Sequence, residues 1–208
     1  MAKKKKEHVT FDRVCKVKPS LPFAKTNRLT VMRTAKKSHR PQTETVSLRP
    51  MEDTFEDYIA LRDWFHEPEL CQWVWCDEKD EPPVTLDRVM EKYRPRVITP
   101  EDVFPYFILL DGNPIGFIQY YLHDECSIGI DMWIGSHDNR GKGWGTSALR
   151  QMVELIRKQH PDIREVFITP DPRNVRAVRC YEKAGFRTVG TMKDDEEECL
   201  LMKILLPH

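Results

Sequence analysis

Apolar and polar positions follow two repeats along the chain, and each repeat predicts a different kind of element. Short apolar runs rich in β-branched and aromatic residues are typical of strands, whereas apolar residues three or four positions apart indicate one face of a helix. The order of the runs predicts a mixed α/β fold, with an antiparallel sheet early in the chain and two strand-to-helix units late. The predicted strands are 45–49, 104–110, 115–122, 128–134, 163–169, 186–192 and 199–206. The predicted helices are one that begins after Asp53 or Thr54 and has apolar positions from Phe55 to Phe65, followed by 85–93, 147–159 and 175–184.

Short polar segments mark where several of these elements end. Asp111-Gly-Asn113 joins two apolar runs and is a strong hairpin signal. Asn174 is suited to cap the helix that follows it, and Gly185 is suited to end that helix in the left-handed conformation. Residues 68–83 are predicted to form a loop in which Trp73 and Trp75 stand beside several acids. Such aromatic faces next to carboxylates suit a flat cationic ligand, although two tryptophans that only fill the core beneath a loop explain the pattern equally well.

Charge is distributed unevenly, although the 208-residue chain has a formal net charge of zero. Residues 1–43 carry 13 Lys and Arg against 2 Asp and Glu, and they show little sustained periodicity. We therefore predict a basic, flexible N-terminal extension over 1–43 and one folded domain over 44–208. The domain is acidic, which favours a cationic small-molecule partner and argues against nucleic acid. An acidic surface that only keeps the protein in solution explains the charge equally well.

The cysteines and the apolar runs argue against several protein classes. Six cysteines are scattered without a C-x-x-C pair, which predicts neither a metal site nor a disulfide framework and fits reduced thiols. No apolar run approaches the ~20 residues of a membrane span, and the N-terminal lysines are not followed by the apolar segment of a secretory signal. We therefore expect a cytoplasmic protein without a membrane partner, present as a monomer or a homodimer.

The most informative stretch runs from Ile128 to Thr146, where a predicted strand, a glycine-rich turn and a helix follow one another. Gly141, Gly143 and Gly145 allow main-chain N–H groups to surround an anion, and the helix N-terminus adds a partial positive charge. This arrangement predicts a pyrophosphate site, with a tight turn that binds no ligand as the alternative. The pattern of ATP-binding loops, G-x-x-x-x-G-K-[ST], and that of dinucleotide-binding turns, G-x-G-x-x-G, are both absent.

Two segments carry a resemblance to a known family. Arg140-x-x-Gly143-x-Gly145 resembles the acetyl-CoA signature of the GNAT acetyltransferases, usually written [RQ]-x-x-G-x-[GA]. Residues 174–186 are similar to the second GNAT signature, N-x-x-A-x-x-x-Y-x-K-x-G-F. The resemblance implies a GNAT fold, which is a central mixed, mostly antiparallel sheet flanked by helices, and it implies acetyl-CoA as the co-substrate.

From about Thr45 onward, the chain resembles the aminoglycoside 6'-N-acetyltransferases more narrowly. The matching stretches include Asn113-Pro-Ile-Gly116 with Gln119, then 129–131, 141–146 and 176–186, of which the last contains Cys180. This resemblance implies transfer of the acetyl group of acetyl-CoA to the 6'-amino group of aminoglycoside antibiotics, which gives antibiotic resistance. The alternatives are a GNAT enzyme for another amine, such as a hydroxylysine-type siderophore precursor or a protein lysine or N-terminus, and a GNAT-like binding module without turnover.

The resemblance assigns the chemistry to Asp131 and Tyr181. The Asp131 carboxylate is expected to attract the substrate ammonium and to accept its proton, directly or through water. The apolar residues Ile128, Ile130, Met132 and Ile134 would share the face of the strand opposite to Asp131. The Tyr181 phenol, with an ordinary pKa near ~10, is expected to donate a proton to the CoA thiolate. The alternatives are an acid turned to solvent and a tyrosine that only packs against the core.

The resemblance also implies two sets of binding residues and no metal. Asp171 is a departure from the family, whose acid stands two positions earlier, where this chain has Thr169. The expected substrate residues are Trp73, Tyr93, Asp131 and Asp171. The expected cofactor residues are Met132, Trp133 and Ile134 along the pantetheine arm; Arg140, Gly141, Lys142, Gly143, Trp144, Gly145 and Thr146 around the pyrophosphate; and Asn174, Ala177 and Tyr181 near the CoA arm.

Overall fold

A computed structural model describes residues 44–74, 84–194 and 197–206 of the chain. Its strands are β1 Val46–Pro50, β2 Val103–Leu110, β3 Asn113–Leu122, β4 Ser127–Ile134, β5 Glu165–Ile168, β6 Arg187–Asp194 and β7 Glu197–Leu205. Its helices are α1 Phe55–Trp64, α2 Pro68–Val74, α3 Leu86–Ile98, α4 Trp144–Gln159 and α5 Val175–Ala184, with one 3-10 turn at His137–Asn139. The predicted extension over 1–43 and the acidic part of the predicted loop, residues 75–83, lie outside the described residues.

In the described part of the chain the strands form one seven-stranded sheet in the order β1-β2-β3-β4-β5-β7-β6. Neighbouring strands are antiparallel except for β4 and β5, which run parallel. Antiparallel neighbours need only a tight turn, whereas the parallel pair needs a crossover, which α4 supplies. The prediction of a mixed, mostly antiparallel sheet flanked by helices is therefore confirmed.

The parallel pairing of β4 with β5 is short. The two strands pair from Ser127 to Gly129 on β4, whereas β4 continues to Ile134 and stays paired with β3 along its whole length. In the described residues, the second half of β4 therefore has a partner strand on one side. The main-chain groups on its other side are available to an extended ligand that adds as a strand.

Alternation along β4 divides its side chains between two hydrophobic cores. Ile128 and Ile130 are fully buried in the core beneath α4 and α5, and Met132 packs against that core. Trp133 belongs to the second core, beneath α1, α2 and α3. Because the side-chain period of a strand is two, Asp131 lies on the same face as Trp133. The predicted separation of Asp131 from its apolar neighbours is therefore confirmed.

Several segments differ from the prediction made for them. Residues 68–74, predicted as loop, form the helix α2, because Pro68 stands at the first helical position, where its fixed φ is favourable and its missing N–H is not needed. Helix α3 was predicted to end at Tyr93 but extends through Pro95 to Ile98. The additional turn carries Arg96, which contacts the site described below. Near the C-terminus, the strands predicted as 186–192 and 199–206 also extend further toward each other, β6 to Asp194 and β7 from Glu197.

The predicted ends of helix α5 are confirmed. Asn174 caps the helix by accepting a hydrogen bond from the N–H of Ala177, and Gly185 ends it with a φ of 114°. Of the two candidate caps for α1, Thr54 accepts the hydrogen bond from Asp57, while Asp53 accepts one from the Tyr58 hydroxyl. Of the described helices, none is long and apolar enough to cross a membrane.

Gly116 lies where β3 and β4 approach closely, and the spacing gives a stability prediction. A Cβ at this position would lie 2.4 Å from the main-chain oxygen of Trp133, which cannot move aside without distorting the sheet. Gly116→Ala should therefore lower the free energy of unfolding by about 1–3 kcal/mol, measured by urea denaturation. Gly190→Ala is the matched control, because nothing lies within 4 Å of a Cβ built there. Equal stabilities of the two variants would contradict the predicted clash.

Candidate functional site

The glycine turn between β4 and α4 is open on the side where side chains would project. Gly141 and Gly143 have φ values of 76° and 89°, in the left-handed region that favours glycine. A Cβ built on either residue would meet nothing within 4 Å. These two glycines are therefore required by backbone conformation, and the space beside them is accessible to a ligand.

Helix α4 begins without the side-chain cap that α1, α3 and α5 each have. Its N-cap is Gly143, which has no side chain to accept the first N–H groups, and the first turn contains no acid. By contrast, Thr54, Thr85 and Asn174 each accept a hydrogen bond from the helix that they precede. The main-chain N–H groups of the first turn and the partial positive charge of a 16-residue helix are thus left for an anion.

Gly145 and Thr146 fix the start of α4 against its neighbours. A Cβ on Gly145 would lie 3.2 Å from Met132 and 3.3 Å from the Cys180 sulfur, so this glycine allows close packing between α4, β4 and α5. The Thr146 hydroxyl donates to the Cys180 carbonyl at 3.3 Å. The turn is therefore held in place by contacts that leave its main-chain amides unused.

Three larger residues surround the turn. The Lys142 ammonium lies 4.8 Å from the centre of the Trp144 ring, which is itself buried. The Arg140 side chain is 11% exposed and donates to the carbonyl oxygens of Ile134 and Gly135 and to two glutamates of the α2 region. The main-chain N–H of Arg140 donates to the His137 carbonyl. The Arg140 guanidinium thus already has protein partners. Its contact with a phosphate therefore stays a prediction.

Asp131 is held by a buried glutamine. Gln119, which is 8% exposed, lies opposite Asp131 in the β3–β4 register. Its Nε2 donates to Asp131 Oδ2 at 2.8 Å, and its Oε1 accepts from Arg96 at 3.2 Å. The orientation of the Gln119 amide follows from its neighbours, because a carboxylate can only accept and a guanidinium can only donate. Arg96, Gln119 and Asp131 thus form a chain of charge-assisted hydrogen bonds.

Two buried tyrosines are electrostatically coupled to Asp131. Burial raises the pKa of Tyr93, and the charge of Asp131 raises it further, while the nearby Arg96 lowers it. Burial also raises the pKa of Tyr181, and Cys180 and Asp131 add to this effect. Both phenols therefore remain protonated across the physiological pH range. The predicted base and the predicted proton donor lie close enough for the charge of one to act on the other.

The remaining predicted cofactor residues lie along the part of β4 that β5 does not cover and at the start of α5. Met132 and Ile134 are half-buried, and Trp133 is buried with its ring stacked on Phe117 at 4.5 Å between centroids. Within the described residues, the Trp133 indole N–H has no hydrogen-bond partner. Asn174 and Ala177 form the capped first turn of α5, next to α4.

The predicted substrate residues lie in different settings. Trp73 is half-buried on α2, and Tyr93 is buried on α3 with the Arg96 guanidinium 5.2 Å from its ring centre. Asp171 follows β5 and is bound by Arg173, whose main-chain N–H and guanidinium both donate to its carboxylate. Tyr93 and Asp131 are thus brought together around Gln119 and Arg96. Asp171 has a partner within its own loop, so its contact with a substrate remains a prediction.

Four residues of this region were missing from the predicted site. Gln119 was noted only as part of a family match, although an amide in the middle of an apolar strand is a signal in itself. Arg96 gave no signal, because it follows Pro95, beyond the predicted end of its helix. Glu67 and Glu69 stood at the start of a segment that was interpreted as loop. Among the described residues, no group of three or more His, Cys, Asp or Glu side chains could hold a metal ion.

Comparison with known proteins gives similarities that cover most of the chain. The family model described as "Acetyltransferase (GNAT) domain" matches residues 53–193. The aminoglycoside N(6')-acetyltransferase type 1 of Klebsiella pneumoniae is 35% identical over 171 residues, which cover 76% of this chain and 82% of that protein. The crystal structure of AAC(6')-Ib in complex with coenzyme A and kanamycin is 32% identical, with a TM-score of 0.67, over 77% of this chain and 95% of that one. The N(6)-hydroxylysine O-acetyltransferase of Escherichia coli is 24% identical over 148 residues, which cover 66% of this chain and 45% of that protein.

Proposed function

The chain belongs to the GNAT acetyltransferases, and we propose that it transfers the acetyl group of acetyl-CoA to the 6'-amino group of aminoglycoside antibiotics, which gives resistance to them. The observation that carries the proposal is the position of Asp131 on the half of β4 that β5 does not cover. There it is held by Gln119 and coupled to Tyr181, and β4 leads directly to the open glycine turn. The catalytic domain is residues 44–208. The described cysteines, Cys71, Cys126, Cys180 and Cys199, are free thiols, which supports a cytoplasmic location.

The residues of the turn fit the phosphates of acetyl-CoA. Gly141 and Gly143 leave open space beside main-chain amides, and α4 contributes an uncapped N-terminus without an acid in its first turn. The residues from Met132 to Ile134 lie on a strand edge that β5 does not cover, which suits the amide groups of the pantetheine arm. The thioester would then lie close to Asp131, at the point where β4 and β5 separate.

Asp131 and Gln119 prepare the amine for attack. An ammonium has no lone pair, so Asp131 first pairs with it and then accepts its proton, directly or through a water molecule. Gln119 favours the charged form of the carboxylate by donating a hydrogen bond to it, and Arg96 in turn polarises Gln119. The neutral nitrogen then forms a bond to the thioester carbon.

Tyr181 stabilises the negative charge that develops on the leaving sulfur. As the C–S bond breaks, the sulfur gains an electron pair, and the Tyr181 hydroxyl donates a hydrogen bond or its proton to that sulfur. The raised pKa of Tyr181 keeps the phenol protonated, and burial excludes water that would compete for the sulfur. The nitrogen loses its second proton to water as the amide forms, and the tyrosine is reprotonated from solvent when the thiol leaves.

The substrate side of the site supports a polycationic ligand. Asp131 provides a carboxylate, and the half-buried Trp73 provides an aromatic surface that suits a charged sugar ring. Tyr93 is buried beneath Arg96, so its contact with a substrate stays a prediction. A hydroxylysine-type substrate is the alternative, because a relative that acts on hydroxylysine is also similar to this chain. Aminoglycosides are preferred because the similarity to enzymes that act on them is greater and covers more of the chain.

The function can be tested by release of free CoA thiol from acetyl-CoA. We expect rapid release with kanamycin-type drugs that carry a 6'-amino group, and little with analogues that carry a 6'-hydroxyl group or with N6-hydroxylysine. Asp131→Asn should reduce kcat by about 10²–10⁴-fold, because it removes a general base, while calorimetry should show acetyl-CoA binding unchanged.

Three outcomes would contradict this proposal. Equal rates with the 6'-amino and 6'-hydroxyl drugs would refute the position of acetylation. Release with N6-hydroxylysine alone would favour the alternative substrate. Full turnover by Asp131→Asn would remove the role of Asp131 as the base.

The contact between Gln119 and Asp131 predicts a change in pH dependence. Gln119→Leu removes a donor to the charged carboxylate, which favours the protonated, inactive form. The acidic limb of the kcat/KM profile should therefore move to higher pH by about one unit. Gln119→Glu should move it further, because it places a second carboxylate beside Asp131. Arg96, Tyr93 and Tyr181 also lie near Asp131; Gln119→Leu removes the acceptor that Arg96 has at Gln119 but leaves these three residues in place.

A matched control for the pH profile is Gln151→Leu. Gln151 lies on α4 and donates to the Val46 carbonyl at 2.9 Å, away from the site. Its replacement makes the same chemical change and should leave the profile in place. A profile that moved equally in both variants, or in neither, would show that Gln119 does not act through Asp131.

The glycine turn predicts a specific loss of cofactor binding. Gly143→Ala places a side chain on a residue with φ near 89°, so the turn must change shape. The dissociation constant for acetyl-CoA should rise about tenfold, which corresponds to the loss of one or two main-chain hydrogen bonds. Gly112→Ala is the control, because Gly112 has a similar φ of 83° in a distant hairpin. Both variants should lose similar stability. Weaker acetyl-CoA binding in both would mean that lost stability, and not the shape of the turn, raises the dissociation constant.

A further inference from the structure

The Arg140 guanidinium is occupied by protein partners on all three of its nitrogens. Nε donates to the Ile134 carbonyl at 3.1 Å, and Nη2 donates to the Gly135 carbonyl at 2.7 Å. Nη1 donates to Glu69 at 2.8 Å, and Nη2 also donates to Glu67 at 3.0 Å. Four of its five N–H groups thus have protein acceptors, and the side chain is 11% exposed, so little of it is left for a phosphate. Arg140 therefore joins the end of β4 to the start of α2.

Glu69 extends this connection to helix α5. Its Oε1 accepts from Arg176 at 2.6 Å, and His137 lies 3.9 Å from its other oxygen. Burial works against the charge of Glu69, but Arg140 and Arg176 outweigh it, so the pKa of Glu69 is lowered. The carboxylate thus remains ionised at neutral pH. We refer to Glu67, Glu69, Arg140 and Arg176 as the ion-pair network.

Helix α2 depends on such contacts for its position. It has 7 residues, which is too short for a helix to be stable by itself in water. Among its residues, Leu70 is buried and Val74 packs partly buried against the same core, so few of its side chains contribute to hydrophobic packing. Glu69 and Trp73 are four positions apart and therefore lie on the same side of the helix. Whatever holds Glu69 also determines the position of Trp73.

We propose that the ion-pair network positions α2, and with it the Trp73 side chain, against the cofactor turn, so that Arg140 is a positioning residue and not a phosphate ligand. The inference rests on the proposed function only in naming an aminoglycoside as the ligand near Trp73. Arg140 and Arg176 also neutralise two carboxylates that would otherwise stand beside the cofactor phosphates. Removing Arg140 would therefore weaken cofactor binding under either role, so variants of the glutamates give the cleaner test.

The test uses Glu69→Gln and the double variant Glu67→Gln/Glu69→Gln in the full-length chain. Loss of the carboxylates releases α2, so KM for a kanamycin-type drug should rise about tenfold, and the amides of residues 68–74 should exchange with deuterium about tenfold faster. The dissociation constant for acetyl-CoA should stay within about twofold or become smaller, because a negative charge near the phosphates is removed. Glu154→Gln is the control: Glu154 pairs with Arg157 and Lys158 on the exposed side of α4, and its loss should change none of the three quantities.

The outcomes separate this inference from the proposed function. If the double variant bound acetyl-CoA more tightly but kept its KM for the drug and its exchange rates, Arg140 would be a phosphate ligand that the glutamates mask, and the inference would be wrong. Faster exchange with an unchanged KM would also overturn it, because α2 would then not position the substrate. If the wild-type chain acetylated no aminoglycoside, the proposed function would fail, while exchange of residues 68–74 would still decide whether the network holds α2.

Discussion

The separation of β4 from β5 is the constraint on which the site depends. The two strands are parallel and pair from Ser127 to Gly129, and beyond that point β4 keeps β3 as its partner. Because β3 covers one edge of β4 along its whole length, the other edge is the place where a ligand can take up main-chain hydrogen bonds. Asp131 lies on this half of β4, and the glycine turn follows it directly. The geometry of the sheet therefore brings an acid, an exposed strand edge and a helix N-terminus into one place.

Much of this arrangement could be predicted because it depends on local sequence. Asn174 and Gly185 define the ends of α5 through their own backbone and hydrogen-bonding preferences, and alternation along β4 places Asp131 opposite its apolar neighbours. The missed parts depend on contacts between distant residues. The helix that was predicted to end at Tyr93 continues through Pro95 and brings Arg96 to Gln119, which is 23 residues away in the chain. Similarly, Pro68 was interpreted as the start of a loop, although proline is also favourable at the first position of a helix.

The two arginines of the site, Arg96 and Arg140, each bind a polar or acidic side chain of the protein. Arg96 does not contact the predicted base directly, because Gln119 lies between them and accepts from one while donating to the other. This separation supports the ionised carboxylate and leaves it able to attract a substrate cation. Arg140, by contrast, is neutralised by Glu67 and Glu69, so the positive potential at the turn comes mainly from Lys142, from main-chain amides and from the start of α4.

The short parallel pairing also has a consequence for how the chain folds. In strands β1 to β4, each strand pairs with the next strand along the chain. The hairpin at Gly112 brings β2 and β3 together across a two-residue turn. The C-terminal strands pair with this meander through three residues of β4, and they also contact it through the packing of α4 and the rings of Tyr121 and Phe167. Because contacts between nearby residues form faster than distant ones, the meander can assemble first and the C-terminal half can dock onto it late. The ligand site would then be completed in the last stage of folding, when β5 takes its place beside β4.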